Sequence, residues 1–337
     1  MQLRFVVPNP NSFQSGGNLY NAQLFHAIKE KVVDVQMIDF ERFRIEKEEA
    51  GNKFYFIDTL YLEEIRGLNS ELKNCYLIVH HLESLYPGEG DSAAIFNEKE
   101  KPILKRFDGF LTSSGFTKQY LVGKGLTDKQ FIVINPALSF QPKLRRKSGS
   151  SIKAIIIANL IERKGIYPFL KAIQKSNFLP KNCQIRIAGA SKLEPDYAKK
   201  CLDLISSDKR LSKIIKYLDS CNSDQVQSLY LKSNLFISTS FMETFGMALQ
   251  EAVACRLPIL AIEGGNTSYH IEDGKNGILF SSISGLLEKL EILVENNTAF
   301  KNLLEKAWRF DKFENYSWEE AAELFLKKLN QLVSNRI

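Results

Sequence analysis

Two glutamates, Glu243 and Glu251, stand eight positions apart in the stretch SFMETFGMALQEAVACRLPILA, with Phe245-Gly246-Met247 between them. A carboxylate is a strong acceptor for hydroxyl groups. The pattern NLFISTS reads as a strand, and the apolar periodicity that follows predicts a helix starting near Thr244. At a helix start the first N–H groups lack partners and the dipole end is positive, which suits a diphosphate. Gly246 lets a ligand approach the backbone closely. Eight helical residues rise about 12 Å. Two carboxylates at that separation can grip hydroxyls on either side of an anion held at the helix mouth. The plainer reading has Glu243 complementing the dipole and Glu251 on a solvated face.

Three further groupings have residue types that do chemistry. In IIIANLIERKGIYPFLKAI, Arg163 and Lys164 precede Gly165 where a helix opens. Arg can fork onto a diphosphate and Lys can meet it as a point charge, although a basic surface loop would look the same. In NPNSFQSGGNLYNAQL, Gly16, Gly17 and Asn18 follow the first strand and lead into a helix. The spacing is not G-x-G-x-x-G, so that dinucleotide fingerprint is unsupported. In CYLIVHHLESLYPGEG, His80 and His81 end a strand. Adjacent side chains on a strand point opposite ways, which argues against one metal held by both. A packed or surface histidine is the simpler alternative.

These residues need elements to position them. Strand-like runs are LRFVVP, VVDVQMI, KFYFID, CYLIVH, GFLTSS and FIVI in the first half, and IKAIIIA, QIRIAG, KIIKYL, NLFISTS, PILAI and GILF in the second. Helical patterns lie between them, among them 19–31, 95–107, 167–175, 195–206 and 224–231. The alternation predicts an α/β protein with parallel sheets covered by helices, in two Rossmann-like domains. The expected division is a first domain over 1–138, a linker over 139–151 and a second domain over 152–316. Ser317, with Glu320 three positions on, forms a capping-box pattern that opens a last amphipathic helix over 317–337. In doubly wound sheets ligands bind at the carboxyl ends of strands, which is where the four groupings fall.

Composition narrows the function. The chain has 337 residues and a net charge of +6 spread over both halves, so no nucleic-acid footprint stands out. Five cysteines without a C-x-x-C pair argue for reduced thiols rather than a disulfide framework or zinc site. The first residues lack a long apolar signal region, and no apolar run nears the roughly 18 residues of a membrane span. The expectation is a cytoplasmic protein, with peripheral contact at the inner membrane face left open.

The words around the glutamates resemble the donor-domain signature of the family-four retaining glycosyltransferases: Ser240, Glu243, Phe245, Gly246, Glu251, Ala252, Ala254 and Pro258, then GGN and IEDGKNGILF with Gly274, Asn276 and Gly277. The resemblance is strong over 152–282 and looser over 1–135. It implies the GT-B architecture, two facing Rossmann-like domains with a cleft, and a last helix that returns to the first domain. It assigns Glu243 to the transferred sugar, Glu251 to the nucleotide ribose, and the backbone at Thr244, Phe245, Gly246 and Met247 to sugar and phosphates. Lys164 matches the family's phosphate lysine. Asn159 occupies the usual arginine position, which leaves Arg163 as a substitute. Gly16, Gly17 and Asn18 resemble the loop that reaches toward donor phosphates. His80, or else His81, matches the histidine beside the donor sugar, which gives His80, Glu243 and Lys164 as the catalytic set.

The resemblance implies a retaining, metal-independent hexosyltransferase-type enzyme that uses a nucleoside diphosphate sugar, with no further cofactor and no nucleic-acid partner. Glycolipid or cell-surface glycan synthesis follows by analogy. No D-x-D supplies metal ligands. The Pro-Glu that often follows the family's Gly-Gly is replaced near Tyr269. The rivals are a nucleotide-sugar epimerase of the same architecture, for which no second acid/base carboxylate set is evident, and a binding or scaffold protein with a decayed site.

Overall fold

The computed structural model describes residues 2–9, 15–48, 53–68, 72–86, 88, 90–144, 146, 151–176, 182–311 and 316–334. The linker stretch at 145 and 147–150, and the part of the first glycine loop at 10–14, lie outside them. The chain divides into two compact units, Met1–Ala137 with Tyr316–Ile337, and Leu138–Asn315.

Among the described residues the first unit holds six strands: β1 (Gln2–Val6), β2 (Val35–Ile38), β3 (Lys53–Asp58), β4 (Leu72–Val79), β5 (Phe107–Thr112) and β6 (Gln130–Val133). They form one parallel sheet in the order β2-β1-β3-β4-β5-β6. The order reverses between β1 and β3, which opens a crevice at their carboxyl ends. Most strand residues are buried, Leu3, Phe5, Phe56, Leu77 and Leu111 among them, because helices cover both faces of such a parallel sheet. Phe5, Phe56 and Tyr76 stack ring on ring across β1, β3 and β4. The last helix, Trp318–Ser334, lays Phe325 and Leu329 onto this core. Its start is the capping box read from sequence: Ser317 N donates to Glu320 at 2.7 Å, and Glu320 N to Ser317 Oγ at 3.2 Å.

The second unit holds β7 (Ile152–Ile157), β8 (Cys183–Ala188), β9 (Ile215–Tyr217), β10 (Leu235–Ser238), β11 (Ile259–Ile262) and β12 (Gly277–Phe280). This sheet is also parallel, in the order β12-β11-β10-β7-β8-β9. Read from the other edge, that is the Rossmann order, and its switch point lies between β7 and β10.

Two helices of the first unit depart from expectation. Helix Gly16–Lys29 begins three residues before Leu19, because Ser15 caps it by accepting from Asn18 N at 3.1 Å. The pattern at 95–107 does not form one α-helix. A wide π-helical turn, Ile95–Glu100, precedes a short helix, Lys101–Leu104. Pro102 has no N–H for a regular bond to the carbonyl four residues back, so the regular ladder cannot pass through it.

Candidate functional site

In the second unit the loops after β7 and β10 meet at the switch point. Phe241 N donates to Arg163 O at 3.0 Å, and Thr239 Oγ1 donates to Lys164 O at 2.6 Å. Gly165 makes this approach possible, since a Cβ there would lie 2.2 Å from Thr239 O. Arg163 Nη1 donates to Met242 O at 2.6 Å. Lys164 Nζ donates to Glu243 Oε1 at 2.5 Å, and Arg163 Nη1 stands 3.8 Å from Glu243 Oε2. Burial alone would push the Glu243 carboxyl up, but the Lys164 and Arg163 cations outweigh it and hold it below its ordinary range. Burial, helped by Arg163, also lowers the Lys164 ammonium. The result is a compact carboxylate with two cations, little exposed to water.

The helix begins later than Thr244. It spans Met247–Ala254, capped by Gly246 at φ 94°, a backbone that favours glycine. Glu243 therefore sits ahead of the helix, in a segment bridged to Gly265, and the helical rise estimated between the two glutamates does not apply. The turn is held from below: Phe245 O accepts from His270 Nε2 at 2.7 Å and from Asn266 Nδ2 at 3.0 Å. Burial keeps His270 neutral, with its pKa lowered to about 4.

Glu251 is buried within the helix rather than on a solvated face. Its oxygens accept from Ser139 Oγ at 2.6 Å and from Tyr230 Oη at 3.0 Å. Burial raises its pKa, and those two bonds moderate the rise. Sequence reasoning did not find either partner. Ser139 opens the expected linker, and Tyr230 is one apolar position of helix Ser223–Lys232. Asn159 has a structural task, since its Oδ1 accepts from Ala190 N at 2.8 Å.

In the first unit a second group gathers at the β1/β3 switch point. A Cβ on Gly17 would lie 2.9 Å from the His80 ring, so the glycine loop and the histidine are in contact. His80 Nε2 lies 2.8 Å from Asn21 Oδ1, and Asn21 Nδ2 donates to Asp58 Oδ2 at 2.6 Å. Burial lowers the His80 pKa and Asp58 opposes it. His81 is exposed. Asn21 and Asp58 were not found from sequence, although Asp58 ends the run KFYFID, a strand-end position that signals function in such sheets.

Residues 140–310, just over half of the chain, match the family described as glycosyl transferases group 1. The chain belongs to this family. Among curated relatives of this group 1 chain, alpha-monoglucosyldiacylglycerol synthase of Acholeplasma laidlawii is 25% identical over 230 residues, covering 68% of this chain and 52% of that protein. D-inositol 3-phosphate glycosyltransferase of Paenarthrobacter aurescens is 26% identical over 206 residues, covering 58% and 49%. The chain spans about half the length of these relatives.

Among solved structures, sucrose-phosphate synthase of Thermosynechococcus elongatus matches with a TM-score of 0.73 at 16% identity, over 99% of this chain and 100% of that one. HepE of Anabaena in complex with UDP and glucose matches at 0.70 and 16%, over 98% and 99%. At such identities the likeness is one of fold, and the fold is the two-domain α/β GT-B type. Among the described residues of the group 1 chain, no helix is long and apolar enough to cross a membrane.

Proposed function

We propose that this chain moves a glycosyl unit from a nucleoside diphosphate sugar to an acceptor hydroxyl, with retention at the anomeric carbon and without a metal ion. The observation that carries the reading is the junction of Lys164, Arg163 and Glu243 at the Rossmann switch point, ahead of the helix that starts at Met247. In the reaction the bond from the anomeric carbon to the diphosphate oxygen breaks. The acceptor oxygen bonds to the same face, and its proton passes to the departing phosphate oxygen. Lys164, Arg163 and the backbone N–H groups at Thr244–Met247 offset the charge that builds on the leaving group. Glu243 holds sugar hydroxyls, Glu251 the ribose, and His80 a further hydroxyl of the sugar, with Gly16, Gly17 and Asn18 on the donor side.

UDP in the HepE complex supports a uridine donor. The name of the Acholeplasma relative supports a lipid-linked acceptor, reached by peripheral contact with a membrane. The test is a calorimetric and mass-spectrometric screen of UDP-, GDP- and ADP-sugars, followed by proton NMR of the product's anomeric configuration. Binding of a nucleotide sugar, slow diphosphate release in water and a retained configuration are expected. No interaction with any nucleoside diphosphate sugar would overturn the reading, and an inverted product would overturn retention.

A further inference from the structure

The four polar atoms that link β3, helix Gly16–Lys29 and His80 form a chain with a defined direction. Asp58 Oδ1 accepts from Leu60 N at 2.9 Å, and Asp58 Oδ2 accepts from Asn21 Nδ2 at 2.6 Å. A carboxylate only accepts, so the Asn21 amide must turn its NH2 toward Asp58. Its Oδ1 then faces His80 Nε2 at 2.8 Å, and an amide oxygen also only accepts. The proton at that contact must belong to the ring. The direct distance from His80 Nε2 to Asp58 Oδ2 is 3.6 Å, too long for a hydrogen bond to replace this route. All three side chains are little exposed, and Gly17 closes over the ring so that it cannot swing away freely.

We infer that Asn21 and Asp58 are positioning residues that lock His80 as its Nε2–H tautomer and leave Nδ1 as a hydrogen-bond acceptor. A ring that offers a lone pair takes a hydroxyl or N–H from its ligand and repels a carboxylate or phosphate oxygen. His80 therefore favours a hydroxyl or N–H donor over an anionic oxygen at that place, as a sugar hydroxyl supplies. This deepens the proposed function and rests on it only for the identity of the ligand as the donor sugar. The neutral amide between ring and carboxylate matters as well. A carboxylate in direct contact would favour the imidazolium, in which Nδ1 becomes a donor. Among the described residues, the titratable groups that face the ring are Asp58 from β3 and Tyr20 from the helix, and the Tyr20 hydroxyl is engaged with Ile134 O at 3.0 Å.

The test uses the full chain labelled with 15N and 13C histidine. It has only four histidines, and His80→Gln assigns the signal. In the wild type at pH 7.5, the His80 ring should show the neutral Nε2–H pattern. Asp58→Asn keeps the shape and the acceptor for Leu60 N, but lets the Asn21 amide turn over. Its His80 signals should shift toward the Nδ1–H pattern. Turnover of a nucleotide sugar should fall tenfold or more while affinity for the free nucleoside diphosphate stays within twofold. Should Asp58→Asn not fold, Asn21→Asp provides the second reading, with the His80 titration moved to higher pH and the activity optimum moved with it. A wild-type ring with Nδ1–H, or signals unmoved in the folded Asp58→Asn variant and a titration unmoved in Asn21→Asp, would overturn the lock. Turnover unmoved in a variant whose tautomer has changed would overturn its part in the reaction. A wild type with the expected tautomer but no action on any nucleotide sugar would overturn the donor reading and support the lock alone.

Discussion

Lys164 and Glu243 are 79 positions apart in the chain and meet at 2.5 Å, with Arg163 on the other carboxylate oxygen at 3.8 Å. Each is a group that the proposed reaction needs for something else: the ammonium for a diphosphate, the carboxylate for sugar hydroxyls. In the free protein they satisfy one another, which removes the cost of leaving either charge buried alone.

That relationship makes the two substitutions differ in kind. Lys164→Ala removes a charge-assisted contact worth about 1.5–3 kcal/mol, so nucleoside diphosphate affinity should fall roughly tenfold to 150-fold. Glu243→Gln releases Lys164 from its carboxylate, so the same affinity should hold or tighten. Its turnover should nevertheless fall by about 100-fold or more, in line with the loss of a group that stabilises a transition state. Calorimetry with UDP and initial rates on each variant separate the two. Parallel losses of affinity in both variants would show that the pair acts as a unit on the nucleotide and not as a divided site.

Glu251→Gln tests the ribose assignment. The variant keeps one acceptor oxygen for Ser139 or Tyr230 and loses the charge, so donor affinity should drop by roughly tenfold or more. Thermal melting checks that the buried network survives. Wild-type affinity in a folded Glu251→Gln variant would assign this carboxylate to the Tyr230 and Ser139 bonds alone.

Chelation addresses the metal question. With Lys164 and Arg163 as the cations for the leaving diphosphate, millimolar EDTA should leave the initial rate unchanged within error. A rate that collapses with EDTA and returns with manganese would require a metal at the diphosphate.

His270 predicts a pH dependence of stability. Burial lowers its pKa from 6.5 to about 4 in the folded chain. The unfolded chain takes up the proton near pH 6.5, while the folded chain resists until about 4. Stability from this group is thus fully present above pH 6.5 and is lost as the pH falls toward 4. Between pH 7.5 and 5.0 the loss should be about 2 kcal/mol. His270→Gln can still donate to Phe245 O and does not titrate there. Urea unfolding of both proteins at the two pH values should show a smaller loss in the variant by that amount, and equal losses would remove His270 as the source.

The site was legible in sequence to the extent that its parts are local. Each of the twelve apolar runs read as strands overlaps a strand of the two sheets among the described residues, because strands buried on both faces tend to be continuous in hydrophobicity. Glycine beside Lys164 marked the turn where one helix opens. The resemblance carried by Glu243, Gly246, Glu251 and Pro258 led to the glycosyl transferases group 1 family before any strand order was known.

Strand order was decided only in three dimensions. Placing β7 beside β10 brings Lys164 to Glu243, and no local pattern encodes that adjacency. The start of the helix at Met247 was equally hidden, because Thr244 is compatible with a helix and the left-handed backbone at Gly246 is stabilised by the bonds from His270 and Asn266 to Phe245 O. Tyr230, Ser139 and Asn21 look ordinary in the sequence, and only its strand-end position distinguishes Asp58. Their roles arise because a buried carboxylate, amide or imidazole must find partners among whatever polar groups the packing brings within reach. Composition and periodicity thus determined which segments would be buried and where the chain would turn. Packing determined which polar groups, tens of residues apart, would have to satisfy one another.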